Sequence, residues 1–266
     1  MRNCARCLLF CLVMSGFLTA CKTTYDAPKM MSPSADNSQA QVNDAKRAAI
    51  RLQLGISYFQ QDQLATAIKE LNNAIAIDPN LSDAYAVRAV VYMQMQENDL
   101  AEQDFLKVVK LSPGSSDNAN NYGWFLCQNN RDKQAMELFD RVIKDRMYNQ
   151  PVKALNNAGL CSLKMKDFGL AETYFLQSVR LDPNNPTTNL NLARINYHKQ
   201  DWTRAQLYIN RLIKSDSFSA EILWLAIRIN HQLNDHSAVQ SLASQLHRRY
   251  PDSDEDALSQ RGAFDE

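Results

Sequence analysis

Apolar residues recur at helical spacing from Ala48 to about Pro251, in paired runs separated by short polar turns, and small residues fix the register. Ala67, Ala101, Ala135, Ala171, Ala205 and Ala238 follow one another at intervals of 34, 34, 36, 34 and 33 residues. A second small residue, at Gly55, Ala89, Gly123, Gly159, Ala193 and Ala226, precedes each by 12 residues. Pro79, Pro113 and Pro183 close the paired runs where a helix must stop, Pro251 falls one residue late, and a two-residue insertion near Tyr148 to Pro151 accounts for the long interval. The centre of the array shows the duplication most openly: residues 120–127 read N-N-Y-G-W-F-L-C and residues 156–163 read N-N-A-G-L-C-S-L. A period of this length is the mark of a solenoid built from helical hairpins.

Laid against the tetratricopeptide pattern, six consecutive repeats match, with the small residues at positions 8 and 20. Small residues let the two helices of a hairpin approach, while Tyr58, Tyr92, Phe105, Phe139 and Phe175 fill the space between hairpins. The predicted fold is all-α, a right-handed superhelix of about six hairpins with a concave inner face. Positions 5, 9 and 12 of each first helix form one stripe on that face. They are Leu52, Ile56 and Phe59, then Ala86, Val90 and Met93, then Asn120, Trp124 and Cys127. The second half supplies Asn156, Leu160 and Leu163, then Leu190, Arg194 and Tyr197, and finally Leu223, Ile227 and Asn230. The stripe is apolar at its N-terminal end with polar points further on, which suits an apolar or helical peptide. Leu52 and Ile56 stand where carboxylate-gripping repeats carry Lys and Asn, so a carboxylate clamp is not expected in the first repeat.

Composition narrows the class of function. Formal charge is zero and no basic run is present, which argues against nucleic acid. No nucleophile elbow, zinc-protease motif or phosphate-cradling glycine loop occurs, so neither enzymatic chemistry nor a small-molecule substrate is expected, and no cofactor is implied. His231 and His236, five apart across a helix end, are poorly spaced as metal ligands, and no metal site is expected. Trp202 and Phe168 each follow an Asp at a turn inside a hairpin and read as structural plugs.

At the N-terminus, Arg2 and Arg6 precede an apolar stretch from Cys7 to Leu18, the form of an export signal rather than a spanning helix. Leu18-Thr19-Ala20-Cys21 resembles the bacterial lipobox, which implies cleavage before Cys21 and acylation of its thiol. Each buried methylene contributes about 0.8 kcal/mol, so more than one acyl chain anchors stably. Lys22 follows where Asp would favour the inner membrane, so the resemblance implies the outer membrane and its periplasmic face. Signal removal also dissolves the C-x-x-C of Cys4 and Cys7, leaving Cys127 and Cys161, read as two buried thiols with a disulfide as the less favoured alternative. The expected domains are a signal peptide (1–20), a lipidated flexible tether (21–46), the repeat array (47–251) and an acidic tail (252–266). The tether would span roughly 25 to 30 Å. The tail reads as a solvated end, with an end cap over the last repeat as the alternative.

Lipobox, tether, six repeats and the strings at 120–127, 156–161, 190–193, 220–228 and 248–253 together resemble type IV pilus biogenesis lipoproteins of the PilF/PilW kind. The resemblance implies a pilotin that helps outer-membrane secretin subunits reach their membrane and form a ring. The partner is then a protein, with the membrane engaged through the lipid on Cys21. Two other readings fit a tetratricopeptide lipoprotein: a scaffold of outer-membrane protein assembly, and an adaptor for cell-wall enzymes.

Overall fold

The computed structural model describes residues 35–215 and 219–264, with side chains from Gln41 onward. The signal peptide, Cys21 and the tether up to Ser34 lie outside the described residues. The chain divides between Val42 and Asn43, and the repeat array lies in the second unit. Among the described residues there are thirteen α-helices and no strand. The first three hairpins are α1 (Ala35–Gln60) with α2 (Leu64–Ile77), α3 (Ser82–Gln94) with α4 (Asn98–Leu111), and α5 (Ser116–Gln128) with α6 (Asp132–Lys144). They continue with α7 (Pro151–Lys164) and α8 (Phe168–Leu181), α9 (Pro186–His198) and α10 (Trp202–Lys214), and α11 (Ala220–Gln232) with α12 (His236–Arg249), before a last short helix, α13 (Asp254–Gln260).

Helix α1 begins at Ala35, inside the stretch expected to be tether. Nothing after Pro33 breaks a helix there, and the Ala and Gln of A-D-N-S-Q-A-Q are compatible with one. No helix among the described residues is long and apolar enough to cross a membrane.

The close approach within hairpins follows from the two small-residue series. Ala67, Ala101, Ala135, Ala171 and Ala205 are fully buried. A Cβ added at Gly123 would stand 2.8 Å from the Phe139 ring, and one at Gly159 would stand 2.7 Å from the Phe175 ring. Each phenylalanine of the following helix therefore lies flat against bare backbone, and Phe105, Phe139 and Phe175 are all excluded from water. The turns repeat as faithfully. Asp62, Gln96, Asn130, Lys166, Gln200 and Asn234 all adopt positive φ, between 58 and 63°. From there the chain enters the second helix, where Asp167, Asp201 and Asp235 accept a hydrogen bond from the backbone N–H three residues on.

Three expectations are corrected at this level. Cys127 and Cys161 are not free thiols but form a disulfide between α5 and α7, their Cα atoms 5.9 Å apart. The side-by-side packing of α5 and α7 brings them together, which spacing along the chain does not show. Nor is the acidic tail a solvated end. Ser253 caps α13 by accepting from Asp256 N–H at 3.1 Å, Asp256 is buried, and Leu258 and Phe264 pack against the last hairpin. Phe264 lies 5.9 Å from the Trp224 ring and 4.8 Å from the His231 ring, and its carbonyl accepts from Arg228 Nε at 3.1 Å. Phe168, expected as a plug, is exposed, while Trp202 does pack, edge-on to Tyr197 at 5.0 Å.

Candidate functional site

The first helices of the hairpins present the stripe in four concavities. The first two adjoin. One of about 540 Å³ is lined by Leu52, Ile56, Phe59, Ala86, Val87 and Val90, with Asp83 and Asp117 on its margin. The other, about 390 Å³, is lined by Val90, Met93 and Trp124 with Gln94, Asn121 and Gln128. Val90 and Asn121 belong to both, so the walls are continuous across the first three repeats. Ile56, Phe59, Val90, Met93 and Trp124 are half-buried, neither sunk into the core nor released to solvent. Leu52 is largely core, only 7% exposed. Val87 was missed by the three-position stripe. It sits one residue after Ala86, and the width of the groove, about a third of a helix turn, brings it in.

The middle of the stripe behaves differently. Asn120 is fully buried, and its Oδ1 accepts from Asn157 Nδ2 at 3.1 Å while its own Nδ2 has no partner. Asn156 is also buried, donating to Asn185 Oδ1 at 3.0 Å and accepting from Ser178 at 3.0 Å and Thr188 at 2.7 Å. Both asparagines therefore join neighbouring repeats; Asn120 is closed to a partner, against the expectation that it faces the groove, while Asn156 keeps an edge on a concavity. The surrounding helices supply the partners that these buried amides find, Asn157 for Asn120 Oδ1, and Asn185, Ser178 and Thr188 for Asn156. Beside them a third concavity, about 480 Å³, has Leu160 on its wall with Lys153, Asn157 and Thr187. In the sixth repeat Leu223, Ile227 and Asn230 are core.

Arg194 and Tyr197 lie in a fourth, smaller concavity of about 220 Å³ between α9 and α11, with Glu221, Trp224 and Arg228, well removed in sequence from the apolar groove. Arg194 pairs with Glu221, and the Arg228 guanidinium lies 4.9 Å from the Tyr197 ring centroid. Elsewhere the charges serve the scaffold. Arg88 holds Asp104 through two bonds of 2.7 Å; burial works against its charge, yet the carboxylate outweighs burial and raises its pKa. Burial, with Asp140 at 2.9 Å, pushes the Tyr174 hydroxyl up to about 12. Asp132 lies within 4.8 Å of both Cys127 and Cys161, but the two sulfurs are bonded to each other and offer no thiolate pair to a metal.

The arrangement can bind; nothing in it pairs an activated nucleophile with a base. An apolar trough with acidic and amide margins buries the apolar face of a peptide and leaves its polar side to water.

Tetratricopeptide repeat profiles match residues 55–96, 82–115 and 152–185. The chain is 31% identical over 246 residues to the type IV pilus assembly protein PilF of Pseudomonas aeruginosa, covering 92% of this chain and 94% of that one. The solved structure of Pseudomonas aeruginosa PilF superposes with a TM-score of 0.74 at 30% identity, over 83% of this chain and 99% of that one. The crystal structure of PilW, a type IV pilus biogenesis factor, gives a TM-score of 0.71 at 31% identity, over 79% and 96%.

Proposed function

Because the chain belongs to the PilF/PilW family of tetratricopeptide proteins of type IV pilus biogenesis, we propose that it works as a pilotin: an outer-membrane lipoprotein that escorts secretin subunits and promotes their multimerisation. The observation that carries this reading is the continuous apolar groove of the first three repeats, which is shaped for a peptide segment rather than a small molecule. Lipid on Cys21 would hold the groove at the periplasmic face, where a secretin subunit arrives unassembled. The Cys127–Cys161 disulfide supports an oxidising compartment. Binding an apolar segment of the subunit would keep it from aggregating and bring it to the membrane that the lipid selects.

The test separates anchor from groove. In cells carrying Cys21→Ala, secretin multimers in the outer membrane should fall; undiminished multimers would end the piloting reading. Val90→Glu puts a charge at the junction of the two adjoining concavities, at a half-buried position that leaves the helix packing intact. It should reduce co-purification of secretin while the protein stays folded, and unchanged capture would remove the groove from the mechanism.

A further inference from the structure

The concavity between α9 and α11 has a chemistry that the apolar groove lacks. Arg194 and Arg228 both line it, and Tyr197, Trp224 and Leu225 supply its apolar walls. Arg228 lies over the Tyr197 ring and spends Nε on the Phe264 carbonyl, which leaves its terminal nitrogens without a partner among the described residues. Arg194 is bonded to Glu221, whose side chain is 53% exposed. An ion pair so open to water is weak and exchanges readily. Desolvation lowers the Arg194 pKa, so its charged form gains from an anion that also excludes water.

We propose that this concavity is a second recognition site, which takes an Asp or Glu side chain of an extended peptide and packs that peptide's neighbouring aromatic or aliphatic residue against Tyr197 and Trp224. Glu221 already shows that a carboxylate reaches Arg194, and Arg228 lines the same concavity as a second cation for an incoming one. A volume of about 220 Å³ admits one side chain, not a helix. The acidic margin of the apolar groove, Asp83 and Asp117, would repel the same carboxylate, so the two sites select different chemistry. This inference stands apart from the pilotin reading, since it concerns residues that the groove does not use.

Fluorescence anisotropy on the full chain in detergent micelles tests it, with fluorescein-labelled Gly-Phe-Glu-Leu-Gly amide as probe and its Gln counterpart as control. The Glu peptide should bind at least tenfold tighter than the Gln peptide. Arg194→Gln should lose about tenfold, and because it leaves the Arg228 contact to Phe264 in place, it does not disturb the end of the array. Glu221→Gln should tighten binding severalfold by freeing Arg194, while Val90→Glu should leave it unchanged. Equal affinity for the two peptides, absence of binding at millimolar concentration, or a loss caused by Val90→Glu and not by Arg194→Gln would each overturn the proposal.

Discussion

Cys127 and Cys161, 34 residues apart, join the first helices of the third and fourth hairpins, the same pair of helices that carries the duplicated Asn-Asn-x-Gly segments. The bond crosses the one boundary in the array where two residues are inserted, and Lys164 strengthens the same seam by donating to the Cys127 carbonyl and, at 2.8 Å, to Asn130 Oδ1. Closing a loop of this length is worth on the order of 3–4 kcal/mol in the chain-entropy account. Denaturant unfolding of Cys127→Ala/Cys161→Ala should show a loss of that order. Adding reductant should shift the wild-type midpoint and leave the double variant's midpoint in place.

Glycine at the close approach can be told from glycine at a surface. Gly159→Ala forces a methyl group onto the buried Phe175 ring, and overpacking of this kind costs about 1–3 kcal/mol, more than the helix propensity alanine brings. Gly169→Ala meets only Asp167 Oδ1 at 3.8 Å and should stabilise slightly. Thermal melts of the two variants should move in opposite directions; a rise in both would mean that the helices can part without penalty.

The left-handed turn residues predict a dependence on side-chain branching. Gln96 has φ of 63°. Gln96→Val places a β-branched residue in a region that resists it, at a cost of about 1–3 kcal/mol. Gln96→Gly should be neutral or mildly stabilising, and equal melting temperatures for the two variants would show that the turn relaxes.

Asp235 gives the sign of a pH effect. Its pKa is lowered by the hydrogen bonds it accepts, first from the Ala238 backbone at 3.0 Å and then from the Ser237 hydroxyl at 2.8 Å. A depressed folded value means that its stabilisation is present above the ordinary Asp value of about 3.9 and is lost as pH falls through the folded value. The melting-temperature gap between wild type and Asp235→Ala should therefore be widest near neutrality and close in acid below pH of about 4. A gap that is the same at both ends would assign the effect to something other than the carboxylate.

Removing the terminal clasp should loosen the last hairpin. Phe264→Ala strips the ring from Trp224 and His231, with an expected loss of about 1–3 kcal/mol for a partly buried aromatic. Hydrogen exchange should rise in α11 and α12 before it rises in α3; a uniform rise would show that the array unfolds as one unit.

How much of this is legible in the sequence depends on whether a residue's role is set within its own hairpin. Ala67 through Ala205 and the glycines opposite Phe139 and Phe175 are, because helix-to-helix approach inside a hairpin leaves a fixed spacing. Asn120 and Asn156 are not. A helical stripe says which way a side chain leaves the backbone, and only the next repeat decides whether Thr188 or Asn157 will meet it. Ile56, Val90 and Trp124 fare better, since no polar group competes to close over them. The disulfide escapes for the same reason as the asparagines. The tail escapes because six acidic residues mask its apolar anchors, Leu258 and Phe264, and because Ser253 three residues before Asp256 is a short signal for a short helix. Trp224 and Arg228 could have been found by their spacing of four, which puts an aromatic and a cation on one helical face.

A stack in which each hairpin touches mainly its neighbours is elastic, like a coiled spring, and yields at every joint when pulled. The covalent bond between α5 and α7 removes one joint from that spring. Under load the third and fourth hairpins therefore move together, while the joints on either side of them stay free to bend.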